Sequence, residues 1–395
     1  MRSFFATHNN ANAVVSMGLD MGSSVTKLVV ARGVADRVLI RQAGAFPVPE
    51  GTYENGVVEH PRVLGKMIRE YALAAQMEQL PTVFSIPSSV AALRWISLPP
   101  LEGEELKAAA RIKVRRHLPF RVEDAYVEAT AAPMDADAGG ARQSLVIAVP
   151  KEVVDSRAEA ISYAGFVPLA AELEAQAVLR IVDRRLSERS ALWRNASLTI
   201  IDVGGRNTHM YVVQNESLQF IRSVKFGSDL IASGLANTLD IPLDEARVHL
   251  QKPKTYLRSD GALVIEVEQG FAIANMVSEL DKLVREFLRL LRYFRSLHPE
   301  RSYAGILDHL ILCGGLVGLK GFAEYLGQNL GLRVETARPF TGLLAEVDAD
   351  GFQEVSRRQE AYAVAVGLAL SAIEHRHEQT GGHQHEREYA WQRSA

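Results

Sequence analysis

The chain has very little cysteine and no long apolar run. Cys313 is the single cysteine in 395 residues, which excludes an internal disulfide and a zinc site built from several cysteines. No stretch reaches the roughly 18–20 apolar residues that a membrane-spanning helix needs. The N-terminal segment lacks the apolar core and small-residue cleavage site of a signal peptide. We therefore expect a cytoplasmic protein.

An excess of positive charge and two common nucleotide motifs are also lacking. The chain has 44 Lys and Arg against 47 Asp and Glu, a net charge of −3, so its charge gives no reason to expect nucleic acid as a partner. Neither G-x-G-x-x-G nor G-x-x-x-x-G-K-[ST] occurs, which argues against a Rossmann dehydrogenase and a P-loop ATPase. The length and the 47% hydrophobic content predict a soluble globular protein with two domains.

The sequence does contain one short pattern twice. It is "GLDMGSSVTKLVV" from Gly18 and "IIDVGGRNTHMYVV" from Ile200. Counting from Asp20 and from Asp202 gives Gly at +2 and Thr at +6 in both copies. Each copy predicts two strands joined by a tight glycine turn. The recurrence in both halves predicts two similar lobes with a ligand cleft between them.

The residue types in these two turns favour phosphate binding. Small residues let a phosphate approach exposed backbone N–H groups, while hydroxyls and a lysine add hydrogen bonds and charge. An aspartate next to a polyphosphate needs a cation, so we expect Asp20 and Asp202 to be Mg²⁺ ligands, directly or through water. The alternative is a pair of plain β-hairpins, which the matched recurrence disfavours. The predicted phosphate-binding residues are Gly22, Ser23, Ser24, Lys27, Gly204, Gly205 and Thr208.

A third glycine loop, "LCGGLVGLKG", follows an apolar strand and precedes a helix. Gly314 and Gly315 would let the adenosine part of a nucleotide lie on bare backbone. A tightly packed helix entry is the alternative, and the loop alone does not decide between them.

These three loops, in this order, resemble the two phosphate motifs and the adenosine motif of the actin/Hsp70/sugar-kinase superfamily. Within it the chain resembles the PilM family of type IV pilus assembly proteins, over about residues 14–373. The segment "ISLPPLEGEEL…HLPF" resembles a subdomain that this family shares with FtsA.

The resemblance implies an α/β fold with duplicated actin-like (ribonuclease H-like) lobes flanking a nucleotide cleft, and a small inserted α+β subdomain in the first lobe. The expected ranges are 14–195 for the first lobe, about 82–150 for the insertion and 196–373 for the second lobe. We expect residues 1–13 and the His-rich tail 374–395 to be disordered.

The resemblance also assigns residue roles. Asp20, Glu174 and Asp202 would be catalytic, with Glu174 positioning metal-bound water. A solvated helix carboxylate is the alternative for Glu174. Lys282 and Arg285 would flank the base. Leu316 and Val317 are bulkier than is usual in the adenosine loop, which predicts a displaced or weaker nucleotide.

The function implied by the resemblance is ATP binding with Mg²⁺ and slow or absent hydrolysis. The chain would dock the short cytoplasmic tail of PilN, a single-span membrane protein. It would thereby associate with the inner membrane and with other pilus assembly components. Two alternatives are open: an FtsA-like filament former, which would self-associate, and a small-molecule kinase on the same scaffold.

Two charged segments have no assigned role. Basic residues recur within 111–121 and would face either anionic lipid or solvent. Four histidines in the tail would bind a transition metal or belong to a disordered end. The basic residues are Arg111, Lys113, Arg115, Arg116 and Arg121, and the histidines are His375, His377, His383 and His385.

Overall fold

The computed structural model describes residues 14–380, except for 35–36, 78, 132–140, 188–196, 215–216, 269, 298–308 and 346–354. The helices are α1 Pro61–Ala74, α2 Gly103–Val114, α3 Lys151–Ala164, α4 Glu174–Ser187, α5 Ser228–Leu239, α6 Leu243–His249, α7 Val277–Leu297, α8 Phe322–Leu330 and α9 Ala363–Thr380.

The strands of the first half are β1 Val14–Met21, β2 Val25–Val34, β3 Arg37–Pro47, β4 Tyr53–Glu54, β5 Val57–Val58, β6 Pro81–Ile86, β7 Ala92–Leu98, β8 Ala125–Ala131, β9 Arg142–Pro150 and β10 Val167–Leu173. Those of the second half are β11 Ser197–Val203, β12 Thr208–Gln214, β13 Ser217–Val224, β14 Tyr256–Leu257, β15 Ala262–Val267, β16 Gly270–Asn275, β17 His309–Cys313, β18 Val334–Thr336 and β19 Leu344–Ala345.

Two main sheets have the same strand order. The first contains β3-β2-β1-β6-β10 and the second β13-β12-β11-β17-β18. In each sheet, the three strands that come first in sequence form antiparallel pairs, and the two later strands are added in parallel. The central strands β1 and β11 are rich in Val, Ile and Leu and are almost entirely buried, as expected for strands covered on both faces. The predicted α/β fold with two similar lobes is confirmed.

The end of the chain returns to the first sheet. β19 pairs with β3 at Leu39 and Ile40, and α9 packs on β1 and α4. A Cβ on Gly367 of α9 would overlap the carbonyl oxygen of Ala177 in α4, so glycine is required for this close helix contact. The predicted range 196–373 is therefore wrong as a single lobe. The apolar run at the start of α9 predicts a buried helix, but it does not identify the sheet that covers the helix.

The insertion is a small sheet in the order β7-β9-β8 with α2 on one face. Its core is formed by Leu98, Leu106, Ala110, Val114 and Val146. The predicted start at residue 82 is wrong, because β6 pairs with β1 and β10 in the first main sheet. The strands of the insertion begin at Ala92, where the chain leaves that sheet.

The basic run lies on α2 and in the turn that follows it. Arg115 lies 3.4 Å from Glu123, and Arg121 lies 3.8 Å from both Glu123 and Asp124. Ile112, which lies between Arg111 and Lys113 in the sequence, is 76% exposed. Exposed ion pairs of this kind are typical of a solvated helix surface.

The predicted disorder of the tail differs from the structure between 374 and 380. These residues continue α9, and His375 and His377 belong to that helical part. His383 and His385, like residues 1–13, lie outside the described residues. No helix within the described ranges is long and apolar enough to cross a membrane.

Candidate functional site

A cleft of about 960 Å³ lies between the two main sheets, and most of the predicted site residues line it. These residues are Asp20, Gly22, Ser23, Ser24, Lys27, Glu174, Asp202, Gly204, Gly205, Gly314 and Gly315. Thr208, Lys282 and Arg285 are not part of its lining.

The first loop follows β1, which ends beside Asp20. Asp20 and Lys27 are register partners in the β1–β2 hairpin, and Lys27 Nζ lies 3.0 Å from Asp20 Oδ2. The hydroxyl of Ser85 donates to Asp20 Oδ1 at 3.4 Å. The sequence spacing of seven residues therefore positions a lysine beside the aspartate, at the mouth of a loop with exposed small residues.

The second loop lies against the N-terminus of α5. The backbone N–H groups of Ser228 and Asp229 donate to the carbonyls of Gly204 and Gly205 at 2.9 and 3.0 Å. A Cβ on Gly227 would overlap both of these carbonyl oxygens. The contact with α5 therefore requires glycine at this position.

The two loops touch across the cleft. A Cβ on Gly205 would overlap the hydroxyl oxygen of Ser24. The same hydroxyl donates to Asp229 Oδ2 at 3.3 Å, and Arg247 Nη2 lies 3.0 Å from that carboxylate oxygen. A group bound between the lobes would therefore meet both loops.

Thr208 has a structural role in place of the predicted phosphate contact. It is fully buried at the first position of β12, and its hydroxyl donates to the carbonyl of Phe226 at 2.7 Å. The threonine is the register partner of Val203 in the β11–β12 hairpin, and its side chain bonds the segment between β13 and α5.

The side chain of Glu174 is only 13% exposed, so the alternative of a solvated helix residue is wrong. It is the first residue of α4, and its Oε2 accepts the backbone N–H of Ser88 at 3.0 Å. His209 Nε2 lies 3.5 Å from the same oxygen. The other ring nitrogen of His209, Nδ1, lies 2.7 Å from the hydroxyl of Ser223.

The carboxylates of the cleft are costly to ionise together. Burial, with the charge of Asp20, raises the pKa of Glu174 to about 7. Burial also raises the pKa of Asp202 to about 6, where Glu174 and Asp20 add to the shift and His209 opposes it. Burial lowers the pKa of His209. A bound divalent cation would reverse this balance and favour the ionised carboxylates.

The donor set fits Mg²⁺ held mainly by oxygens from outside the protein. Within the described ranges, no three His, Cys, Asp or Glu side chains converge as a metal-ligand set. Mg²⁺ commonly binds through one or two carboxylates together with phosphate oxygens and water. Asp20 and Asp202 fit this kind of site, which would be complete only with a nucleotide.

The third glycine loop lies beside Asp202. Gly314 has φ +102°, and a Cβ there would overlap the Val203 carbonyl and lie 2.6 Å from Asp202 Oδ1. At Gly315 no atom lies within 4 Å of the position of a Cβ, so its backbone faces open space. Leu316 and Val317 are almost completely buried in the second core. Most of the volume of these two side chains therefore lies in the core and not in the cleft.

Lys282 and Arg285 do not flank the cleft. Both are exposed on α7. Leu283 and Phe287 carry the buried face of this helix. Because α7 precedes the adenosine loop in the sequence, we expected these two cations to lie near the base. They lie on the exposed side of the helix, away from the cleft.

Sequence reasoning missed four residues that line the cleft: Arg157, His209, Arg247 and Arg358. Arg157 is fully buried in α3 and donates to the carbonyls of Met21 and Gly56, each at 3.1 Å. The sequence does mark Arg157 as a residue with a buried role, because it is an isolated arginine on the apolar face of an amphipathic helix. Arg247 and Arg358 come from separate segments and carry no such signal.

Comparison with solved structures supports an actin-like fold. The chain is similar to a PilM–PilN type IV pilus biogenesis complex, with a TM-score of 0.73 and 23% identity over 91% of this chain and 98% of that chain. It is also similar to the ethanolamine utilization protein EutJ from Carboxydothermus hydrogenoformans, with a TM-score of 0.51 and 12% identity over 91% of this chain and 89% of that one.

The family assignment comes from the sequence. The model of the family described as type IV pilus assembly protein PilM matches residues 18–373, which include both aspartate loops, the insertion and the third glycine loop. The chain therefore belongs to the PilM family of actin-like type IV pilus assembly proteins.

Proposed function

We propose that the chain binds ATP with Mg²⁺ in the cleft between its two main sheets. The observation that carries the proposal is the placement of Asp20 and Asp202 at the ends of two equivalent strands, in one cleft lined by three glycine loops. Small residues in the loops leave backbone N–H groups accessible to phosphate. Bound Mg²⁺ would neutralise phosphate charge beside the two aspartates.

Hydrolysis in this site would be slow or absent. A general base must be ionised and free to accept a proton, but Glu174, with a pKa of about 7, is only about half ionised at neutral pH. Its Oε2 already accepts the N–H of Ser88. We infer that ATP acts mainly as a bound ligand that holds the lobes together.

A magnesium-dependent titration tests the nucleotide site. ATP binding is measured by calorimetry in magnesium buffer and in EDTA, for the wild type and for Asp202→Ala. We expect affinity to fall in EDTA and to fall at least tenfold in the variant, which retains one of the two carboxylates. An unchanged affinity of Asp202→Ala in magnesium buffer would contradict the site.

We propose that the chain also docks the short cytoplasmic tail of a PilN-like membrane protein, and so lies at the cytoplasmic side of the inner membrane. The family assignment supports this, and the related solved structure is a PilM–PilN complex. A cavity of about 570 Å³ beside the insertion is our candidate for the docking groove. Its lining includes residues of β7 and β13.

The cavity has features that suit an extended peptide. Within the described ranges, β7 and β13 are edge strands of their sheets, where a further strand can add. None of the described residues accepts a hydrogen bond from the buried indole Nε1 of Trp95 in β7. An inserted strand would supply donors and acceptors along the strand edges and an acceptor for the indole N–H.

Peptide titration tests the groove separately from the partner. A synthetic tail of the PilN-like protein is titrated into the wild type, Trp95→Phe and Ile112→Ser. Ile112 is exposed on α2 of the same insertion, outside the cavity. We expect weaker binding for Trp95→Phe only. Equal binding by all three proteins would place the tail elsewhere, and no binding by the wild type would contradict the partner.

A further inference from the structure

Arg358 is a half-buried cation that lines the cleft beside the third glycine loop. Its Nη2 donates to the carbonyl of Gly315 at 3.1 Å, and the Arg358 side chain packs over Gly318, where a Cβ would lie 3.5 Å from Arg358 Cβ and Nε. Burial lowers the pKa of Arg358. Among the described residues it forms no ion pair, and the charges of Tyr362 and Glu360 only partly oppose the lowering of its pKa.

Three other cations that line the cleft, Lys27, Arg157 and Arg247, have partners. Lys27 pairs with Asp20 at 3.0 Å. Arg247 contacts Asp229 at 3.0 Å and Asp244 at 2.7 Å. Arg157, which has no carboxylate partner among the described residues, lies over the ring of Tyr53 with its Cζ 5.0 Å from the ring centroid. Arg358 is half-buried, and within the same part of the chain its one hydrogen-bond partner is the Gly315 carbonyl. Withdrawing a guanidinium from water is costly unless other groups contact it.

The space beside Arg358 suits a flat ring. The backbone of Gly315, which accepts the Arg358 hydrogen bond, has no atom within 4 Å on the side where a Cβ would point. A base can therefore lie on bare backbone next to the guanidinium. We propose that Arg358 binds the purine base of the nucleotide through the face of its guanidinium; this inference depends on the proposed nucleotide site.

Contact through the face is favoured over contact through the edge. A guanidinium that reads a guanine edge uses two parallel N–H groups, and in Arg358 one N–H of Nη2 already donates to Gly315, which leaves fewer parallel N–H pairs for a base edge. A stacked cation instead interacts with any purine ring and more weakly with a smaller pyrimidine ring. Arg358 would therefore distinguish purine from pyrimidine nucleotides without distinguishing ATP from GTP.

Binding of matched triphosphates tests this role. Affinities for ATP, GTP, UTP and ribose 5-triphosphate are measured with Mg²⁺ by displacement of a fluorescent nucleotide. The proteins are the wild type, Arg358→Ala, Arg358→Gln and the control Arg357→Ala, whose exposed side chain does not line the cleft. Thermal unfolding of each protein is measured to verify folding.

We expect Arg358→Ala to lose about 5- to 30-fold in affinity for ATP and GTP alike. Its affinity for ribose 5-triphosphate should stay within about twofold of the wild type, and UTP should lose less than ATP. Arg358→Gln should not restore the loss, because glutamine keeps a donor for Gly315 without the cation. Arg357→Ala should match the wild type.

Three results would overturn the assignment. An equal loss for ATP and ribose 5-triphosphate would make Arg358 a phosphate contact. Recovery in Arg358→Gln would reduce its role to the hydrogen bond to Gly315. A larger loss for GTP than for ATP would indicate contact with the base edge. If the wild type binds none of the four ligands, the proposed nucleotide site itself is wrong.

Discussion

Glu174 Oε2 lies 3.5 Å from His209 Nε2, although the two residues come from different halves of the chain. Each is held by a serine: the N–H of Ser88 donates to Glu174, and the hydroxyl of Ser223 lies 2.7 Å from His209 Nδ1. Both serines also line the cavity beside the insertion. The pair is therefore fixed in place before any ligand binds and joins the wall of the nucleotide cleft to the wall of the neighbouring cavity.

The stability of the nucleotide-free protein should fall on balance as the pH rises: two carboxyls with raised pKa values lower it, and His209, whose pKa burial lowers, opposes them. The pKa values of Glu174 and Asp202 are raised to about 7 and about 6 from ordinary values of 4.5 and 3.8. Within those intervals the folded state therefore binds more protons than the unfolded state. The free energy of unfolding should decrease with pH, by about 1.4 kcal/mol per pH unit for each carboxyl within its interval.

Urea unfolding at pH 5, 6, 7 and 8 measures this dependence. Glu174→Gln is the control, since it should remove the part of the decrease between about pH 5 and 7 that Glu174 causes. A stability of the wild type that rises across this range would contradict the raised pKa values.

Binding of magnesium–ATP should release protons. Mg²⁺ beside Asp20 and Asp202 favours ionised carboxylates, whereas Asp202, whose pKa is raised to about 6, is partly protonated near pH 6 in the free site. Affinity for ATP should therefore increase from pH 5.5 to 7.5. Calorimetry in buffers of different ionisation enthalpy measures the released protons. Proton uptake on binding would show that the metal does not lie at these carboxylates.

Glu174→Gln should separate binding from hydrolysis. The amide keeps the size of the side chain and an acceptor for the N–H of Ser88, but it removes a negative charge near the phosphates. We expect an ATP affinity equal to or above that of the wild type, and loss of any measurable hydrolysis by at least tenfold. Retained hydrolysis in the variant would exclude Glu174 as the base.

The sequence predicted those parts of the site in which the contacting residues are close to each other along the chain. A strand that ends at Asp20 and a hairpin partner at Lys27 follow from spacing and period alone, and the repeat at Asp202 identifies the second lobe. Spacing does not show which face of a strand or helix a side chain occupies. For this reason Thr208 was predicted to bind phosphate and Lys282 to flank the base, although neither lines the cleft.

Residues from isolated positions could not be predicted for a different reason. Arg358 and Arg247 reach the cleft only because segments far apart in the chain fold onto it, and neither belongs to a repeated pattern. The return of β19 and α9 to the first sheet is likewise a long-range packing result. An apolar run identifies a buried helix such as α9 but not the element that it packs against.

Two adjacent glycines provide a matched test of the third loop. Gly314→Ala should destabilise the fold by about 1–3 kcal/mol, because φ +102° is strained for alanine and its Cβ would overlap the Val203 carbonyl. Gly315→Ala meets open space, so its stability should match the wild type while ATP affinity falls. Urea unfolding and ATP titration measure the two effects. Equal destabilisation by both substitutions would contradict the loop geometry.

A buried ion pair behind the cleft should be costly to break and cheap to remove as a whole. Arg180 donates to Glu172 at 2.9 and 3.3 Å and to the Gly367 carbonyl at 2.9 Å, and Ser371 also donates to Glu172. Arg180→Met leaves the Glu172 carboxylate buried without its cation, so we expect a loss of about 3–5 kcal/mol in the free energy of unfolding. Arg180→Met combined with Glu172→Gln should recover more than half of that loss. If the double variant is as unstable as Arg180→Met, the prediction is wrong. Arg180 would then stabilise the contact between α4 and α9 mainly through its packing and its hydrogen bond to Gly367.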